Sequence, residues 1–210
     1  MKNISIKGLI IGLVFMSLNS FASDQTRQSL SKIVSANNIN VMVSGGREIS
    51  SIGGANVGNG DLRLGLVFND QWTTGIYYQR SLNEFVPVNE TIPGLYTEYQ
   101  SVGGLLEYTL FPNRLLHITF PLKIGYGHLE MDTNSDWDEW IRDEQHLFVL
   151  QPGAFAVLNV TPLLNLYAGA TYRITNGFEY RAISSASTQG VTGQLGLKFH
   201  IPTKTFRNNM

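Results

Sequence analysis

Gly190-Val191-Thr192-Gly193-Gln194-Leu195-Gly196-Leu197-Lys198-Phe199-His200-Ile201 is the stretch whose reading decides the fold. From Val191 onward one parity carries Val191, Gly193, Leu195, Leu197, Phe199 and Ile201, and the other carries Thr192, Gln194, Gly196, Lys198 and His200. A period of two belongs to a β-strand, whose successive side chains point to opposite faces. One face is apolar and the other holds a lysine, which suits a strand with lipid on one side and a polar lumen on the other.

The same test upstream finds seven more strands, so that the eight candidates are 39–50, 59–68, 72–81, 98–111, 115–130, 146–160, 163–175 and 189–201. Leu62, Leu64, Leu66 and Phe68 oppose Asp61, Arg63, Gly65 and Val67. Val102, Gly104, Leu106, Tyr108 and Leu110 oppose Gly103, Leu105, Glu107 and Thr109. Leu116, Ile118, Phe120, Leu122, Ile124 and Tyr126 oppose His117, Thr119, Pro121, Lys123 and Gly125. Two later strands alternate in the same way, with Leu150, Ala154, Ala156, Leu158 and Val160 on one outer face and Leu164, Leu166, Ala168, Ala170 and Tyr172 on the other. Each charge between the ends of these strands falls on the inner parity. Arg63, Glu107, Lys123, Arg173 and Lys198 are therefore expected to share a lumen. A buried charge is costly unless paired, and the expected pairing centres on Glu107, with Arg63 its first partner and Lys198 its second. The first strand is the exception to clean alternation, because Gly45-Gly46-Arg47-Glu48 predicts a bulge or an early end.

The connections alternate in length. Asn69-Asp70-Gln71, Pro112-Asn113-Arg114 and Thr161-Pro162 have the chemistry of tight turns, whereas the links 51–58, 82–97, 131–145 and 176–188 are long. Short turns on one rim and long loops on the other define an all-β fold, an eight-stranded antiparallel up-and-down transmembrane β-barrel over residues 39–201, with both termini on the periplasmic side.

Composition agrees with this class. Charged residues are 15% of the chain, well below a typical quarter, while glycine contributes 21 residues and phenylalanine and tyrosine 11 and 9. The formal net charge of −1 offers no basic footprint for nucleic acid. The absence of cysteine removes an acyl anchor, disulfides, thiolate metal sites and Cys nucleophiles together. At the start, Lys2 and Lys7 precede the apolar run Gly8–Leu18, and Ser20 and Ala22 lie three and one before a cut after Ala22. Residues 1–22 read as a secretory signal peptide, 23–38 as a polar periplasmic lead-in and 202–210 as a periplasmic tail.

The motif Gln194-x-Gly196-x-x-Phe199-x-Ile201 resembles the C-terminal assembly signal of outer-membrane barrels, which implies the barrel-assembly machinery as a partner. It departs from the usual form in ending on Ile201 instead of an aromatic, and in being followed by a tail. The chain as a whole resembles small eight-stranded outer-membrane β-barrels of gram-negative bacteria, including those with a Gln-Pro-Gly step and a Leu-Asn-Val-Thr turn, here Gln151-Pro152-Gly153 and Leu158-Asn159-Val160-Thr161. That resemblance implies the fold, an outer-membrane location and contact with outer-membrane lipid and lipopolysaccharide. It implies no activity.

Candidate chemistry is sparse. Some eight-stranded barrels modify lipid A and resemble one another in a His-x-Ser arrangement, but no serine lies within two residues of His117, His128, His146 or His200. Residues 130–144 hold Glu130, Asp132, Asp136, Asp138, Glu139, Asp143 and Glu144 with Trp137 and Trp140. A calcium loop would need a glycine at its sharp turn, which is missing, so a solvated loop with interfacial tryptophans is the favoured reading. The loop surface Asp132, Asp136, Trp137, Asp138 and Trp140 is left as the working surface for an unidentified partner. Glycines 53, 54, 58 and 60 match no phosphate-binding spacing. The expected role is structural or surface-interacting, with no cofactor and no catalysis; the alternatives are a lipid-modifying enzyme or a narrow channel. In this topology Asp136→Cys reacts with an impermeant thiol label on intact cells and Asn113→Cys is protected; the reverse pattern would invert the model.

Overall fold

The computed structural model describes residues 39–88, 90–91, 95–133, 143–176, 179–180 and 183–202. The expected signal peptide, the lead-in and the tail beyond Pro202 lie outside the described residues, as do Asp136, Trp137, Asp138 and Trp140 of the acidic loop. The strands are β1 (Ile39–Ile52), β2 (Ala55–Phe68), β3 (Trp72–Ser81), β4 (Leu95–Leu110), β5 (Leu116–Thr133), β6 (Asp143–Asn159), β7 (Leu164–Asn176), β8 (Glu179–Tyr180), β9 (Ile183–Ser184) and β10 (Gly190–Pro202), with a short helix α1 (Ser185–Thr188) before the last. Eight of them close into one barrel in the order β1-β10-β7-β6-β5-β4-β3-β2. β8 and β9 form a separate hairpin within the last link.

Chain-neighbouring barrel strands pair antiparallel, and β1 closes on β10 from Asn40↔Pro202 to Ile49↔Gly193. Closure leaves no edge strand, so backbone donors and acceptors are satisfied without water. The faces follow the alternation of the last strand. Leu195 is 57% exposed and Val191 69%, while Gln194 is 5% and Lys198 2%. Leu62, Leu64, Leu66, Val102, Leu106, Ile118, Phe120 and Ile124 likewise face outward.

Two expectations for β1 are corrected. The strand runs unbroken from Ile39 to Ile52, paired residue by residue with β2, so there is no bulge or early end at Gly45–Glu48. The first long link, 51–58, is also absent, because the ladder continues to Ile52↔Ala55. Only Gly53 and Gly54 remain in the turn, with φ of 58° and 80°. Two consecutive positive φ angles make a tight hairpin turn that glycine adopts without steric cost. Gly53 and Gly54 permit this turn, and Gly58 and Gly60 belong to the ladder itself.

At the opposite rim Asn69 and Asp70 take positive φ between β2 and β3, and Asn40 Nδ2 donates to Asp70 Oδ1 at 3.0 Å. Asn and Asp tolerate that region better than other side chains. Asn159 Nδ2 donates to the Pro112 and Arg114 carbonyls at 3.1 and 2.8 Å, tying the second turn to β6. Phe68, Trp72, Phe111 and Phe199 lie at this rim. Trp72, Phe111 and Phe199 are exposed there, and Trp72 packs on Tyr108 at 4.7 Å between centroids.

Inside, aromatic side chains reach over glycines. Tyr167 covers the cross-strand pair Gly46↔Gly196, where a Cβ on Gly196 would stand 2.6 Å from the phenol oxygen. Gly196 of the assembly motif therefore makes room for an aromatic from the neighbouring strand. Leu195→Arg would place a charge on the lipid face and is expected to cost about 2–4 kcal/mol, whereas Thr192→Ser on the inner face is tolerated. Refolding yield into lipid vesicles separates the two, and equal yields would overturn the assignment of faces.

Candidate functional site

The lumen holds three carboxylates, Glu48, Asp61 and Glu107, and three bases within ion-pair reach of them, Arg63, Lys123 and Lys198, all essentially inaccessible to solvent. Inward parity places each there, because a strand facing lipid has nowhere else to put a charge. Asp61 is the centre of the pairing. Its Oδ1 accepts from Arg63 Nε at 2.5 Å and its Oδ2 from Lys123 Nζ at 2.5 Å. Glu107 is bound directly by Lys198, and Arg63 approaches it only to 3.9 Å. The expected order of partners for Glu107 is thus reversed, since Arg63 is drawn to the carboxylate two residues away on its own strand.

Glu48 is held differently. Its carboxylate accepts from Gln79 Nε2 at 2.7 Å, Gln151 Nε2 at 3.0 Å, Asn59 Nδ2 at 3.3 Å and closely from Gln194 Nε2. Lys123 stands 3.9 Å away. Gln194 also accepts from Arg63 at 2.5 Å, which makes it the bridge between the amide cluster and the ion pairs. The bases in addition lie over rings: Arg63 is 5.1 Å from the centroids of Phe155 and Tyr167, and Lys123 5.4 Å from Tyr77. Such cation–π contacts are strongest where water is excluded. Arg173 is buried but stands apart, 5.1 Å over the ring of Tyr99, and makes no ion pair with another described residue.

The expectation omitted Glu48 and Asp61. Asp61 sits on the inner parity of β2 beside Arg63 and could have been included. Glu48 was hidden by the supposed bulge; carrying the inward series Met42, Ser44, Gly46 through to Glu48 and Ser50 would have found it.

Above this layer, toward the rim opposite Ile39 and Pro202, an apolar cluster fills the lumen: Ile52, Val57, Tyr99, Leu129, Leu147 and Val149 from the wall, capped by Phe85 and Ile183 from the links. The links are bound to one another there. Gly53 N donates to Ser187 O and Val88 N to Gly53 O, each at 2.9 Å. Phe85 bridges Thr97, and Ser184 caps α1 in a reciprocal pair with Ser187. Below the ions, a cavity of about 470 Å³ lies at the rim of the short turns, reaching from Asp70 and Asn113 past His117 and His200 to Glu107 and Lys198. His128 and His146 are elsewhere, side by side on the outer surface. Asp132 lies at the end of β5 opposite Tyr96.

Deleting one partner of a buried charge network leaves the others unpaired, which typically costs about 3–5 kcal/mol. Asp61→Ala, which frees both Arg63 and Lys123, is expected to lower the unfolding midpoint in urea more than Glu107→Ala, which frees Lys198. The reverse order would show that the ladder of pairing is misassigned.

No protein-family model and no curated protein sequence matches the chain. Solved structures do. The crystal structure of Neisserial surface protein A aligns with a TM-score of 0.55 at 16% identity, covering 79% of this chain and 97% of that one. Ail, the attachment invasion locus protein of Yersinia pestis, in complex with the heparin analogue sucrose octasulfate, aligns with a TM-score of 0.49 at 15% identity, covering 79% and 99%. OprG of Pseudomonas aeruginosa aligns with a TM-score of 0.43 at 9% identity, covering 79% and 97%. At 16% identity the likeness to Neisserial surface protein A concerns the fold, and it agrees with the closed ladder and the apolar outer face: the chain is a small eight-stranded β-barrel of the outer-membrane type.

Proposed function

We propose that the protein is a closed outer-membrane barrel of a gram-negative bacterium whose role is structural or surface-interacting, its links at the rim opposite Ile39 and Pro202 serving as the working surface. One observation carries this reading: the lumen is stopped twice, by an apolar cluster at that rim and by the Asp61-centred ion layer beneath it. An eight-stranded barrel is just narrow enough for side chains to fill it, and filling it with a paired network stiffens a scaffold without opening a path. The motif Gln194, Gly196, Phe199 and Ile201 supports delivery by the barrel-assembly machinery. Phe199 and Ile201 project outward from β10, while Gly196 lies beneath Tyr167.

A lipid-modifying enzyme remains the second reading for one reason. His128 and His146 adjoin on the outward face, 6.3 Å between ring centroids. Neither hydrogen-bonds a serine or threonine hydroxyl among the described residues, so the activated nucleophile that acyl transfer needs is not assembled there. Pure protein in planar bilayers is expected to give no steady conductance, and lipid A incubated with it is expected to keep its mass. Reproducible single-channel steps would promote the channel reading, and loss of an acyl chain from lipid A would promote the enzyme.

A further inference from the structure

The lumen carries more bases than carboxylates. Among the described residues its buried charged side chains are Glu48, Asp61 and Glu107 against Arg63, Lys123, Arg173 and Lys198. Asp61 and Glu107 are bound by Arg63, Lys123 and Lys198, and Glu48 has Lys123 at 3.9 Å. Arg173 is the base in excess. It is 1% exposed, and neither its Nε nor its Nη1 has a hydrogen-bond partner among the described residues. The ring of Tyr99, a member of the apolar cluster, lies 5.1 Å from the guanidinium carbon. Its π face stabilises the charge as a whole but offers no lone pair to each N–H. Glu48 does not serve instead, because the amides of Asn59, Gln79, Gln151 and Gln194 already hold its carboxylate. A lysine in such a place can shed its proton, whereas a guanidinium stays charged. An uncompensated buried ion is costly, so Arg173 calls for a counter-ion that no described residue supplies.

We propose that the lumen binds one small monovalent anion, a halide such as chloride, on the unpartnered N–H groups of Arg173. Space adjoins this residue. Gly190 pairs with Arg173 across β10 and β7, so the two share a face of the sheet, and a Cβ added at Gly190 would meet no atom within 4 Å. Tyr99, whose hydroxyl is also without a hydrogen-bond partner, brings a further donor to the guanidinium that its ring covers. Charge decides the class of ligand: one excess positive charge is neutralised by one monovalent ion, and a divalent anion would reverse the imbalance. Size decides the member, because an eight-stranded lumen filled by side chains leaves room for a single atom rather than for a polyatomic anion. The site adds a ligand to the stopped lumen without opening a path through it.

Two measurements on the full-length protein refolded in detergent micelles test this. Crystals grown in sodium bromide are expected to show an anomalous peak in contact with Arg173 Nε or Nη1. In urea, with gluconate replacing chloride at constant ionic strength, the apparent unfolding constant is expected to fall by about tenfold for each tenfold rise in chloride once the site is near saturation. Arg173→Gln removes the charge and makes the unfolding midpoint independent of chloride, Tyr99→Phe weakens the dependence, and Arg114→Gln, on an exposed turn, leaves it as in the wild type. Heat-modifiable migration on gels verifies that each variant is folded. Should Arg173→Gln fail to fold, the bromide peak and the chloride titration of the wild type decide alone. No bromide at Arg173, a carboxylate found on it in that crystal, or a wild-type midpoint indifferent to chloride would overturn the proposal. A bromide peak without chloride dependence is binding at crystal concentration only and overturns it too, as does a dependence that persists undiminished in Arg173→Gln.

Discussion

Everything in this molecule depends on where its backbone hydrogen bonds go. A strand in hydrocarbon has no water to satisfy its N–H and C=O groups, so the sheet must close. The closing pair here is the first strand on the last, β1 on β10. That seam is also rich in glycine, with Gly45 and Gly46 opposite Leu197 and Gly196. Tyr167 lies across it from the third strand in the row. The seam thus couples the ladder to the packing of the lumen, since a side chain on either inward glycine would displace the ring.

Closure has a second consequence. With one face given to lipid, every lysine, arginine and carboxylate at mid-depth is driven inward, and a narrow lumen brings them together whether or not they attract. The protein resolves this with three carboxylates against four bases, one of which, Arg173, lies over the ring of Tyr99, and with amides that saturate the one carboxylate, Glu48, having only a distant base. Buried ion pairs contribute little net stability in general, because desolvation offsets attraction. Their value here is geometric: Asp61 fixes both Arg63 and Lys123, and Gln194 locks Arg63 to Glu48 across the seam. An apolar cluster then closes the rim above, so the lumen is neither a pore nor a ligand cavity at that end.

From the amino-acid sequence alone the class of fold, the strand number and the facing of nearly every side chain were legible, because a period of two is a local property and lipid tolerates no charge on its parity. Inward placement of Arg63, Glu107, Lys123, Arg173 and Lys198 followed from the same rule. Who pairs with whom did not follow, because partners such as Asp61 and Lys123 come from strands far apart in sequence, and the shear of the barrel decides which residues stand level. Glu48 was obscured by local glycine chemistry that suggested a bulge, although a continuous partner strand kept the ladder regular. The two-residue turn at Gly53-Gly54 and the apolar stopper beneath Phe85 and Ile183 were decided only by tertiary structure, since each is a matter of register between strands and register is set by closure of the whole.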